Sequence, residues 1–228
     1  MSPADAASYQ SPVTAMAFTF DDGSQSQVDL ALPILEEFGF KATFFVIAGL
    51  TRDRRCDPPL PGRARSWWAE VSWEEWRAIA ARGHEIGNHS LTHPRGGVHR
   101  ADSPEAEIIA SARLIAAKMG RAPDSFAFPF DKSTARLRAL AAQHHRFVRA
   151  DCAWYGRWGF SLARANRWVD RAVRTGRPLI ALLHGIESGY APISRELLRA
   201  HCAYIRDRLR VETFANLLAG AEAVRGRA

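Results

Sequence analysis

The chain has 228 residues, 47% of them hydrophobic and 24% charged, which is the size and composition of one globular domain with a sizeable core. No apolar run reaches the roughly 18 residues of a membrane span, and no basic run or nucleic-acid motif appears, which argues against membrane and nucleic-acid partners. The formal net charge of +7 rests almost wholly on arginine, because Lys41, Lys118 and Lys132 are the only lysines; it reads as a scattered basic surface, with attraction to an anionic substrate as the sharper alternative.

Residues 1–12 are polar and rich in small residues, and read as a flexible tail ahead of a single domain over 13–222. They lack the basic and apolar regions of a signal peptide, so the sequence as written predicts a cytoplasmic protein, or an exported one if a leader has been removed. The apolar run 13–20 reads as the first buried strand, and Asp21 and Asp22 stand at its end. Residues 26–38 have helical periodicity and close at Gly39, and 41–47 is a second strand rich in Phe and β-branched residues.

The stretch 49–71 breaks the rhythm with three prolines and Trp67-Trp68, and reads either as a lid or binding loop or as a surface excursion shielding part of the barrel. Ser72 and Glu75 form a capping box that opens a helix ending at Gly83, with Trp73 and Trp76 as packing residues. A short strand over 84–88 follows, then a long amphipathic helix over 103–119 between Pro104 and Gly120. Further strands are expected at 125–128, 146–150 and 178–183, with helices at about 133–144, 161–175 and 193–209. This alternation predicts an α/β fold with a mostly parallel sheet, either open or closed into a barrel. Cys56, Cys152 and Cys202, an odd set without CxxC spacing, read as free thiols.

Adjacent carboxylates at a strand end repel each other, and a metal cation is the simplest offset. His89 and His93, four apart, can face one way on a helical turn and bind one ion. His89 follows a strand as the aspartates do. Pro129-Phe130, Asp151 and His184 stand at similar addresses, and in parallel α/β folds the C-terminal ends of strands carry active sites. His84, His99, His144, His145 and His201 read as structural or solvent-facing.

With these residues in view, the chain resembles the polysaccharide deacetylases of the NodB-homology type, carbohydrate esterase family 4. Thr19-Phe-Asp-Asp22, His89-Ser-Leu-Thr-His93, Phe126-Ala-Phe-Pro-Phe130 and Leu182-Leu-His184 occur in family order. The resemblance implies a distorted (β/α) barrel, often of seven parallel strands. It implies a divalent metal, usually zinc with cobalt or nickel as alternatives, bound by Asp22, His89 and His93. It implies Asp21 as general base, His184 as general acid and the backbone N–H of Phe130 in the oxyanion site. The expected reaction removes acetyl groups from N-acetylated sugars or glycans, so the expected partner is an acetylated carbohydrate. The alternatives are an O-acetyl esterase on acetylated polysaccharide, a small-amide hydrolase, and an inactive glycan-binding module.

Two departures from the family pattern carry expectations of their own. Ala127 stands where an arginine often pairs with the catalytic aspartate, and Arg149 on the neighbouring strand is the expected replacement. Asp151 is the expected orienter of His184. Trp154, Tyr155 and Trp158 are candidates for a wall against sugar rings, and Glu187 and Tyr190 for substrate contact.

Overall fold

The structure is a computed structural model that describes residues 14–53 and 71–225. The expected tail, Cys56, Trp67-Trp68 and most of the expected lid lie outside these residues. Strands β1 (Ala15–Asp21) and β2 (Ala42–Val46) are buried along their whole length, as parallel strands covered on both faces must be. β3 (Glu85–Asn88), β4 (Ser125–Phe126) and β5 (Phe147–Val148) continue the sheet beyond β2. On the other flank of β1 lie β7 (Leu179–Leu183) and then β6 (Ala153–Trp154). The order is β5-β4-β3-β2-β1-β7-β6, and each of these pairings is parallel. An eighth short strand, β8 (Arg210–Val211), pairs with the start of β1.

β5 and β6 are the two edges of this path, yet only residues 149–152 join them. An extended connection of that length reaches at most about 18 Å. The sheet therefore curls until its edges nearly meet, and since they do not pair the result is an open half-barrel. This is the distorted (β/α) barrel expected from the sequence.

The helices α1 (Leu32–Glu37), α2 (Trp73–Ala81), α3 (Pro104–Met119), α4 (Ala135–His144), α5 (Leu162–Thr175) and α6 (Arg195–Ile205) accompany the strands, and α7 (Phe214–Arg225) closes the series. The capping box of α2 forms in both directions, and Gly120 ends α3 at φ 74°. Along β1 the side chains alternate between faces. Met16, Phe18 and Phe20 join the larger core with Phe44, Leu35 and the buried Trp73 and Trp76. Ala15 and Ala17 face a smaller core with Phe45, Ala127, Phe214 and Leu217. Among the described residues no helix is long and apolar enough to cross a membrane.

β6, β8 and α7 were not expected; the two strands have two residues each and carry no periodicity. The first helix also differs: residues Gln27–Ala31 form a π-helical turn that runs into α1. Of the histidines expected to be structural or solvent-facing, His99 and His144 are exposed and His84, His145 and His201 are buried. His84 Nδ1 accepts the Ala42 N–H (3.1 Å), and His145 Nδ1–H donates to the Ala141 carbonyl (3.0 Å). Cys152 and Cys202 are free thiols.

Glu85 fastens the smaller core. Its carboxylate accepts from Thr43 Oγ1 on β2 (2.7 Å), from Ser125 Oγ on β4, and from the N–H of Ala215 in the first turn of α7 (2.9 Å). Burial raises the carboxyl above its ordinary value, and these hydrogen bonds only partly oppose the rise. A raised folded-state value means that Glu85 favours the fold below its unfolded value, and that this contribution is lost as pH rises through the folded value. Glu85→Ala strands three donors and should lower unfolding stability by about 3 kcal/mol. Glu85→Gln should match the wild type near pH 4 and gain on it by pH 8, as read from urea midpoints at the two pH values.

Candidate active site

The side chains flagged at strand ends converge at one end of the half-barrel. Asp21 closes β1 on the same face as Thr19, and strict alternation would send the next side chain away from it. Asp22 adopts φ 77° instead, a left-handed turn that Asp tolerates better than most residues. Both carboxylates consequently approach one imidazole: His89 Nε2 lies 3.6 Å from Asp21 Oδ2 and 3.4 Å from Asp22 Oδ1. His93 Nε2 lies 3.3 Å from that same Asp22 oxygen.

The segment between the two histidines is not the helical turn that their spacing suggested. Ser90 and His93 have φ of 72° and 54°, and local side-chain bonds explain why. Asn88 Oδ1 accepts the Ser90 N–H (3.0 Å), and Ser90 Oγ accepts the His93 N–H (3.1 Å). Glu107 on α3 accepts the N–H groups of Leu91 and Thr92 (both 2.9 Å) and the Thr92 hydroxyl (2.6 Å). These bonds compete successfully with a helix. Asn88 is itself held by Ser111 (2.8 Å) and His145 (3.0 Å).

His89 Nδ1 sits 2.9 Å from the Ala127 carbonyl. A carbonyl only accepts, so Nδ1 carries the hydrogen and Nε2 is the nitrogen turned toward Asp22. Burial, and after it the neighbouring His89, push His93 down to about 4, which favours its uncharged imidazole at neutral pH. Asp22 Oδ1 is buried and accepts no hydrogen bond. Two imidazole nitrogens and a carboxylate oxygen thus face one another as acceptors, with one donor atom from each residue inside 4.8 Å. Such a set calls for a cation at its centre, and two imidazoles with one carboxylate suit a divalent metal with open positions. The same field acts on His89, where burial opposes charge but Asp21 and Asp22 outweigh it and raise the ring's pKa.

Arg149 reaches Asp21 from the segment that joins the sheet edges. Its guanidinium grips the carboxylate through both oxygens, at 2.6 Å each, donates to Thr19 Oγ1 (3.1 Å) and Asp131 (3.3 Å), and lies 4.9 Å over the Phe45 ring. Arginine and aspartate are both buried. Burial alone would raise the Asp21 carboxyl, but Arg149 and then His89 outweigh it and hold the group well below the usual carboxylate range. Ala127, where an arginine was missed, packs its methyl into the smaller core beside Phe45 and serves His89 through its backbone.

His184 directly follows β7. Its ring meets Tyr190 edge-on at 4.9 Å and Trp154 at 5.6 Å. Burial lowers its pKa, with the attraction of Asp21 and Asp22 only partly compensating. Gln27, in the π-helical turn, gave no signal in the sequence. Its fully buried side-chain amide donates to the backbone carbonyls of both Asp21 (2.5 Å) and His184 (2.9 Å), tying the ends of β1 and β7 together. π-helical turns recur at functional sites, but no residue pattern marks them. Phe130, at φ 61°, places its ring 4.8 Å from that of His93.

Three expectations fail. Asp151 does not orient His184: its side chain is exposed, and His184 Nδ1 is buried without a hydrogen-bond partner. The two-residue strand β6 begins after Asp151 and turns it out of the barrel. Tyr155 is no sugar wall, since it is fully buried and its hydroxyl donates to His201 Nε2 (2.9 Å). Glu187 accepts the Arg195 N–H at the start of α6 (2.8 Å) and pairs with that arginine's side chain, so it fastens the loop after β7. Trp154 and Tyr190 remain beside His184.

Comparison with known proteins places the chain in a family. Its sequence matches the profile of the polysaccharide deacetylase family over residues 9–146, and the chain belongs to that family. It is 28% identical over 117 residues to a gellan lyase of a Bacillus species, covering 51% of this chain and 4% of that protein. It is 26% identical over 125 residues to chitin deacetylase 1 of Cryptococcus neoformans var. grubii, covering 55% and 23%. It is 32% identical over 98 residues to the chitooligosaccharide deacetylase of Sinorhizobium fredii, covering 42% and 37%. The matched segments therefore span well under half the length of these curated relatives. The fold is shared with the peptidoglycan deacetylase PdaC of Bacillus subtilis, at a TM-score of 0.63, 19% identity and coverage of 94% and 95%.

The buried ion pair makes a stability prediction. Arg149→Met leaves a buried carboxylate uncompensated and should cost about 3–5 kcal/mol at pH 7. The lowered folded-state value of Asp21 means that its contribution is present above the unfolded value of 3.8 and lost as pH falls through the folded value. The difference between wild type and variant in urea denaturation should accordingly narrow below about pH 4.

Proposed function

We propose that the chain is a metal-dependent hydrolase that removes acetyl groups from N-acetylated sugars or glycans. The observation that carries this reading is the acceptor triad of Asp22, His89 and His93, set beside a second, arginine-held carboxylate. Binding alone needs no such second carboxylate. The deacetylases among the relatives support the substrate class.

A divalent cation held by Asp22, His89 and His93, zinc in the first instance, would polarise the acyl carbonyl and acidify a water. Asp21, which Arg149 keeps ionised and aimed, would accept a proton from the attacking water as the water oxygen bonds to the acyl carbon. A carboxylate held this low is a weak base, so the reaction depends on the acidity of the water. The N–H of Phe130 donates to the developing oxyanion. His184 delivers a proton to the departing nitrogen as the C–N bond breaks, giving acetate and an amino sugar. Burial makes its imidazolium a stronger acid than a solvated one. Gln27 sets the spacing of base and acid through their backbones.

Purified protein should carry close to one equivalent of zinc, cobalt or nickel, and lose it on Asp22→Ala or His89→Ala. Chelation should abolish acetate release from chitooligosaccharides, and added metal should restore it. Faster release from acetylxylan would move the assignment to an ester substrate, and metal-loaded protein that releases acetate from neither would refute the hydrolase. Gln27→Ala should lower kcat by about 10–100-fold with KM little changed, the signature of misplaced catalytic groups; a change in KM alone would instead place Gln27 in substrate binding.

A further inference from the structure

The carboxylates and His184 line only a narrow crevice, with Gln27 and Tyr190. A larger cavity of about 600 Å³ opens beside it, between the loop after β6 and helix α5. Its origin lies in the sheet: β6 pairs only with Ala181 and Leu182, so Leu179 and Ile180 on β7 form an open edge along the groove floor. Trp154 lines this groove and also lies beside His184, so one ring borders both spaces.

The lining carries four arginines, Arg157, Arg164, Arg171 and Arg177, against the single carboxylate of Asp151. All four are exposed. None of the four groove arginines has a carboxylate partner among the described residues, a condition they share with exposed arginines such as Arg95, Arg113 and Arg167, whereas Arg136, Arg146, Arg195 and Arg199 each pair with a glutamate; what sets the four apart is that they line one groove. Arg157 lies 3.7 Å over the Trp154 ring and Arg164 5.6 Å over Trp168. Stacking of this kind fixes a guanidinium plane and leaves its N–H edge to grip an anion in two-pronged fashion. Arg164 and Arg171 lie seven residues apart on α5, so their anchors are ~10 Å apart along one helix face.

We propose that this groove binds polysaccharide chains bearing carboxylate groups, and delivers them past Trp154 to the catalytic crevice. The proposal rests on the carbohydrate reading of that crevice. The two helix arginines can each grip one carboxylate of such a chain, whereas duplex nucleic acid carries a charge every ~3.4 Å along each strand. Strand binders also need open aromatic faces for bases. Here Trp154 and Trp168 each carry an arginine against one face, and Trp158 is the one fully exposed tryptophan among the described residues.

The test is binding of polygalacturonate to the full chain by affinity electrophoresis and calorimetry, with neutral chitotetraose and single-stranded DNA as comparison ligands. Wild type should bind polygalacturonate with an affinity that falls as salt rises, and at least tenfold more tightly than DNA. Arg164→Gln with Arg171→Gln should weaken that binding at least tenfold and leave acetate release from chitotetraose and thermal melting unchanged. Polygalacturonate binding that survives the double substitution, or DNA binding of equal strength, overturns the proposal. Binding without any acetate release from chitotetraose would leave the groove assignment standing and defeat the catalytic reading alone; acetate release without binding would do the reverse.

Discussion

Arg149 reaches from the segment joining the two edges of the sheet to the carboxylate at its centre, and the geometry of the site depends on that pair. Removing two such charges from water costs several kcal/mol per ion. The cost is offset by two short bonds to Asp21, a further bond to Thr19 and the face of Phe45. The arginine is delivered by a connection too short to go anywhere but across the open side of the half-barrel. Curvature of the sheet and placement of the guanidinium are thus one constraint, and lengthening that connection would loosen both.

The pair also sets the charge balance. Asp21 and Asp22 bring two negative charges into a buried space, and Arg149 neutralises one. The remaining charge sits on Asp22, whose buried oxygen faces two imidazole nitrogens. The site divides its carboxylates physically before any chemistry: one accepts a hydrogen bond from arginine at each oxygen, and the other turns a buried oxygen toward ligand-type nitrogens. A cation placed between those nitrogens meets Asp22 directly and Asp21 only as a neighbour. That division is the physical basis for proposing a ligand role for Asp22 and a base role for Asp21.

Much of this was legible in the sequence, and the reasons are particular. Asp21, Asp22, His89 and His184 all stand at the ends of strands whose apolar runs are unmistakable, and parallel pairing brings those ends together. Arg149 was legible because β5 neighbours β4, so an arginine just past β5 can stand in for one missing from β4. The misreadings share a different cause. Asp151 and Tyr155 flank β6, a two-residue strand with no alternation from which to read an inward or outward face. The loop carrying His93 was misread because Asn88, Ser90 and Glu107 replace helical hydrogen bonds with side-chain ones, a competition that spacing alone does not show. Gln27 was invisible because its task is to hydrogen-bond two backbones, and backbone partners leave no trace in residue identity.

Ala127 shows how the arginine could move without loss of the site. What position 127 supplies to the site is its carbonyl, which fixes the tautomer of His89, and every residue has one. Its side chain packs into the smaller core with Phe45, and Phe45 is also the surface on which the guanidinium of Arg149 lies. A small residue at 127 therefore leaves the interior space that an arginine arriving from the edge connection must occupy. An arginine at 127 together with Arg149 would place two guanidinium groups against one carboxylate in a buried space. In this chain Arg149 carries that charge, and so Asp21 is held from the side of the edge connection.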